Sequence, residues 1–140
     1  MSISKASARW DGTLKDGRGT MKPANGSDVP FSLGTRFEGQ KGSNPEEMIG
    51  AALAGCFSMA LSAALSKDGH APDKIETNAD VHLERDGGGF KIAKIVLTTR
   101  AKVAGVDGPS FAALAKETKA NCPVGKALSA VPIELDAALA

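Results

Sequence analysis

The sequence predicts an α+β fold, one domain over residues 1–140 with antiparallel strands before and after a long buried central helix. Three observations predict it. An uncharged run, Met48 to Leu65, follows a strong helix start signal. A strict apolar/polar alternation from Ile75 to Glu84 marks a half-buried strand, and closely spaced turn dipeptides divide the first 40 residues into short strands. A chain of 140 residues buries roughly two-thirds of the surface its unfolded form exposes, which suits one core.

In chain order, Asp11-Gly12, Asp16-Gly17 and Asn25-Gly26 are turns with candidate strands between them. At the central helix, Asn44 is a cap, Pro45 suits the first helical position, and Glu47 stands three residues after the cap as in a capping box. Gly69 closes the helix, after Lys67 in its last turn. Unbroken from Pro45 to Asp68, it extends ~36 Å at ~1.5 Å per residue. One 140-residue chain does not easily cover so long and apolar a helix, so a second subunit is expected. The run also reaches the lower length limit of a membrane span. Its alanine, glycine and serine make it far less lipophilic than a Leu/Ile/Phe span, and no basic cluster flanks it, so burial in protein is the preferred reading and no membrane is expected.

Ile75, Thr77, Ala79, Val81 and Leu83 form the inward set of the next strand. Asp86-Gly87-Gly88-Gly89 is a turn, and a second strand runs from Phe90 to about Val103. Its inward set begins at Phe90 and Ile92 but resumes at Ile95, Leu97, Thr99 and Ala101, a change of parity that a bulge near Ala93-Lys94 reconciles. Pro109 opens a helix with Phe111, Leu114, Ala115 and Thr118 on one stripe, ending near Ala120. Pro123 begins a short helical turn through Leu128, and Val131, Ile133 and Leu135 read as a last strand.

Composition excludes some partners. With 17 basic and 16 acidic residues the formal charge is +1, and neither sign is concentrated in a block, so nucleic acid and anionic membrane find no electrostatic footprint. Met1 to Asp11 carries no apolar signal-peptide region, and a reducing cytoplasmic setting without permanent disulfides is expected.

The two cysteines have opposite surroundings: Cys56 lies inside the apolar run, and Cys122 precedes a proline. A cysteine becomes nucleophilic when a neighbouring cation or a helix N-terminus lowers its pKa. Cys122, pushed out of the α region by Pro123, falls at a helix cap beside unpaired N–H groups, which makes it the more acidic thiol on local grounds. Cys56 is about three turns into its helix, where burial raises the pKa, so its reactivity requires a cation from elsewhere in the fold. As bland readings, Cys56 is a small core hydrophobe and Cys122 a plain cap. No C-x-x-C occurs, and His70 and His82 have neither ligand spacing nor a place in a hydrolase motif, so no metal or cofactor is expected.

The segments Thr35-Arg36-Phe37-Glu38-Gly39, Asn44-Pro45-Glu46-Glu47, Ile49-Gly50-Ala51-Ala52, Ala54-Gly55-Cys56-Phe57-Ser58-Met59-Ala60 and Asn121-Cys122-Pro123-Val124, in this order, resemble the OsmC/Ohr family of organic hydroperoxide reductases, most closely its osmotically inducible protein C branch. The resemblance covers nearly the whole chain. It implies a cysteine peroxidase acting as an intertwined homodimer, with sites at the subunit interface. Cys56 would be the peroxidatic thiolate, Cys122 would resolve its sulfenic acid through an intrachain disulfide, Arg36 would stabilise the thiolate and polarise the peroxide, and Glu46 would hold Arg36. An external dithiol, in the family sometimes a lipoylated protein, would return the electrons.

The resemblance and local electrostatics disagree on which thiol attacks. Arginine in contact with sulfur can outweigh a helix terminus, which favours Cys56. Glu46 lies ten residues, ~15 Å, before Cys56 along a straight helix, so either the helix breaks near Gly50, or Arg36 bridges the gap, or a second chain supplies the partner. Glu47 is the fallback for the orienting carboxylate. Gly125 stands where the family commonly has serine. An apolar mouth drawn from Met48, Leu53, Phe57, Met59, Phe111 and Leu114 would favour alkyl or aryl hydroperoxides over hydrogen peroxide. A non-enzymatic dimer binding an apolar ligand, a thiol redox sensor and a hotdog-type thioesterase are the alternatives.

Overall fold

The computed structural model describes residues Met1–Ala140. The chain falls into two compact units, Met1–Met48 and Ile49–Ala140.

The first unit holds a three-stranded antiparallel sheet, β1 (Ala6–Asp11), β2 (Arg18–Pro23) and β3 (Val29–Phe31), in the order β1-β2-β3. The Asp11-Gly12 and Asp16-Gly17 signals flank the β1–β2 turn, and Gly12 takes φ +96°, a left-handed conformation that glycine adopts without strain. Trp10, Gly19 and Phe31 are register partners across the three strands. Glycine in the middle leaves the room that the two rings share: their centroids are 5.5 Å apart, and a Cβ on Gly19 would stand 2.7 Å from the Trp10 ring. A five-residue helix, α1 (Leu33–Phe37), follows, capped reciprocally by Ser32 and Thr35. The unit ends in the first turn of α2 (Pro45–Lys67).

The helix α2 begins and ends at its signals. Asn44 Oδ1 accepts from the Glu47 N–H at 2.9 Å, and Gly69 adopts φ +85° beyond the last turn. The Glu47 carboxylate accepts from the Ser43 hydroxyl at 2.9 Å, a local variant of the expected capping box. No break occurs at Gly50.

In the second unit, β4 (Lys74–Asp86) and β5 (Gly89–Lys102) form an antiparallel hairpin, and β6 (Ile133–Leu139) adds to β5 in parallel. The ladder pairs His82 with Lys94 and Leu83 with Ile92, so Ala93 is the extra residue that restores parity where the sequence required it. Ile95, Leu97, Thr99 and Ala101 are buried as expected, whereas Phe90 lies beyond the core and is 51% exposed. Leu53, Phe57, Leu61 and Leu65 form the inner stripe of α2 and pack with this sheet face and with Phe111 and Ala115 of α3 (Gly108–Asn121). Each large side chain so buried contributes ~1.5–3 kcal/mol. Ser58 donates to Thr77 at 2.8 Å and Thr77 meets Thr99 at 2.9 Å, so the hydroxyls between helix and sheet are satisfied. Last comes α4 (Pro123–Ala127), with Cys122 both closing α3 and capping α4.

The helix α2 is long and apolar enough to cross a membrane by length and composition. Its inner stripe is nevertheless core, and its outer residues Ala51, Ala52, Gly55, Met59 and Ala63 are exposed and uncharged.

Candidate active site

In the first unit, Arg36 stands in the last turn of α1. Its Nε donates to Glu46 Oε2 at 3.1 Å and its Nη2 to Glu46 Oε1, a bidentate pair in which Glu46 is 8% exposed. Glu46, not Glu47, therefore holds the guanidinium. The pairing aligns the two planar groups and leaves Nη1 of Arg36 without a protein acceptor. The Arg36 guanidinium also lies 5.2 Å from the centroid of the Phe37 ring. Beside it Trp10, Leu14, Phe31, Leu33 and Phe37 line, together with Arg36, a cavity of about 250 Å³.

In the second unit the cysteines meet. Both are free thiols, and the Cys122 and Cys56 side chains are neighbours. Cys122 is 1% exposed, while Cys56 is half-buried. Burial pushes the Cys122 thiol up from its ordinary pKa, and the neighbouring Cys56 side chain adds to this. The N–H groups of Gly125 and Val124 at the start of α4 act in the opposite direction and lose. The cap position expected to lower the Cys122 pKa exists, but desolvation outweighs one short helix terminus and the thiol is raised instead.

The expected apolar mouth is also different. Leu53, Phe57 and Phe111 are fully buried core residues, and Met59 is 78% exposed on the outer face of α2. The aromatic wall beside Arg36 was missed, although Trp10 and Phe31 flanking Gly19 at matching strand positions was its signal.

The model of OsmC-like proteins matches residues 38–136. The chain belongs to the OsmC family. It is 46% identical over 128 residues to Peroxiredoxin OsmC of Escherichia coli (strain K12), covering 90% of each chain. It is 32% identical over 92 residues to the organic hydroperoxide resistance protein OhrA of Bacillus subtilis (strain 168), covering 64% of this chain and 62% of that one. The crystal structure of the organic hydroperoxide resistance protein OhrB of Bacillus subtilis superposes with a TM-score of 0.77 at 27% identity, over 97% of this OsmC-family chain and 98% of that chain.

Proposed function

We propose that this protein is a thiol-dependent peroxidase that reduces organic hydroperoxides to alcohols. The observation that carries the reading is the thiol pair: a half-buried Cys56 beside a fully buried Cys122. Its relatives, a peroxiredoxin and organic hydroperoxide resistance proteins, support it.

The Cys56 thiolate attacks one peroxide oxygen. A sulfur–oxygen bond forms, the O–O bond breaks, and the departing alkoxide takes a proton to become the alcohol. Sulfur is oxidised to sulfenic acid. Cys122 then attacks the Cys56 sulfur, water leaves, and an intrachain Cys56–Cys122 disulfide remains. An external dithiol, for which a lipoylated protein is the proposed class, reduces it by two exchange steps. Arg36 polarises the peroxide and stabilises the thiolate, and Glu46 fixes the guanidinium plane.

The 140 residues act as one OsmC-like domain, and the family match running across the junction between the two units supports this. The working form is a homodimer, supported by the uncovered apolar face of α2. Reduced thiols suit a cytoplasmic location.

Turnover of cumene hydroperoxide with excess dihydrolipoamide tests the assignment. Wild type is expected to turn over rapidly, Cys56→Ser not at all, and Cys122→Ser to stop after one oxidation. Full activity in Cys56→Ser would overturn it.

A further inference from the structure

Cys122 closes α3 through its N–H, which donates to the Thr118 carbonyl at 2.9 Å, and its own carbonyl accepts from the Lys126 N–H of α4 at 2.9 Å. Its place is therefore set by the last turn of α3. A cavity of about 530 Å³ is lined by Lys119, Gly125, Lys126, Ser129, Val131 and Ile133, so close packing alone does not hold this end of α3 and α4 to the start of β6. One side-chain hydrogen bond joins the two helices to β6: half-buried Lys119, in the last turn of α3, donates through Nζ to the Ile133 carbonyl at 2.8 Å. The strand is fixed at this end, since the Ile95 N–H of β5 donates to the Pro132 carbonyl at 2.9 Å. Ordering a lysine costs rotamer freedom, which a charge-assisted bond to a carbonyl offsets. The Lys119 backbone also bears on α4, because a Cβ at Gly125 would stand 3.0 Å from the Lys119 carbonyl and 3.7 Å from the Cys122 Cβ.

Resting on the peroxidase reading, we propose that Lys119 is a positioning residue for the resolving step: by tying the last turn of α3 to the start of β6, it holds Cys122 beside Cys56. In that step the Cys122 sulfur bonds to the Cys56 sulfur, the S–O bond of the sulfenic acid breaks, and its hydroxyl leaves with the Cys122 proton as water. The competing step is attack of the sulfenic sulfur on a second hydroperoxide, which gives Cys56 sulfinic acid and a second alcohol. Which one wins depends on how well Cys122 is placed, since a reaction between two held groups gains its rate from their orientation. Lys119 has no part in the first oxidation of Cys56.

Lys119→Met keeps the aliphatic stem and a good helix former while removing the donor. Rapid mixing of the reduced full-length protein with cumene hydroperoxide, followed by acid quench and mass spectrometry, separates the steps. Lys119→Met is expected to lose reduced Cys56 at the wild-type rate, to form the disulfide about tenfold more slowly, and to accumulate sulfinic acid at excess peroxide. Lys119→Arg, which restores a charged donor, should recover most of the rate. Arg100→Met removes another side-chain tie to β6, the Arg100–Asp136 pair, and should leave disulfide formation unchanged. A wild-type rate in Lys119→Met, equal slowing in Arg100→Met, or no recovery in Lys119→Arg would each overturn the assignment. Wild type inert to every peroxide would instead sink the peroxidase reading. Iodoacetamide mapping of the reduced proteins then still tests the tie: Cys122 is expected to be alkylated in native Lys119→Met and protected in wild type and Arg100→Met, and protection in all three would show that Lys119 does not hold it.

Discussion

A thiol that meets a peroxide first needs solvent contact, and a thiol that waits for a sulfenic acid is protected by burial. Cys56 is half-buried and Cys122 1% exposed, the division that their proposed roles require. Iodoacetamide is expected to alkylate Cys56 in the native protein and Cys122 only on unfolding, with peptide mapping as the readout. The raised pKa of Cys122 has a consequence for stability. Unfolded cysteine ionises near pH ~8.5. The folded thiol ionises later, so its contribution is fully present below that pH and is lost as pH climbs through the folded value. Melts across this alkaline range should therefore fall less steeply for Cys122→Ala than for wild type. Arg36→Ala strands the buried Glu46 carboxylate and should cost about 1–3 kcal/mol in urea unfolding, with the Arg36→Ala/Glu46→Ala pair recovering part of the loss. The residue types of the site were legible in the sequence. The raised pKa of Cys122 was not, because depth below the surface is a property of packing that a local reading of Asn-Cys-Pro omits.

Elements with covalent or periodic signals were the most legible. The Asn44 cap and Gly69 stop bound α2, and the parity change along β5 located the bulge at Ala93. Two features gave no such signal. The helix α1 has only five residues, too few for a periodic stripe, and its Ser32–Thr35 capping is visible only once the hydrogen bonds are drawn. The parallel direction of β6 depends on α3 and α4 carrying the chain back across the sheet, which alternation within β6 cannot encode. Close approach also has an element-scale test. A Cβ on Gly50 would stand 3.1 Å from Val81 Cγ2 and 3.4 Å from the Ala79 Cβ, so α2 lies nearly in backbone contact with β4 there. Gly50→Leu is expected to cost about 1–3 kcal/mol by overpacking, measured as a lower urea midpoint at unchanged m-value. At Gly125 a Cβ would meet the Lys119 carbonyl at 3.0 Å, so the serine common in the family requires α4 to shift by a few tenths of an ångström.

At the scale of the whole molecule, α2 is the element that a single chain leaves unexplained. Its inner stripe is fully buried, yet Ala51, Ala52, Gly55 and Met59 face outward with no charge among them, and Met59 is 78% exposed. Glycine in a helix interior costs about 0.8–1.0 kcal/mol relative to alanine. At Gly50 that cost has a reason within the chain, but a Cβ on Gly55 would meet nothing within 4 Å. The proposed second subunit, by approaching closely, would account for a glycine in open space on an apolar helix face. The same proposed contact would cover the length and hydropathy that alone would suit a membrane span. Gly55→Leu separates the explanations, because within one chain a Cβ there meets nothing within 4 Å. If a partner subunit packs there, light scattering should show a dimer for wild type and a loss of dimer at equal concentration for Gly55→Leu, with far-UV circular dichroism retained. A Gly55→Leu protein that stays dimeric would place the interface on another face.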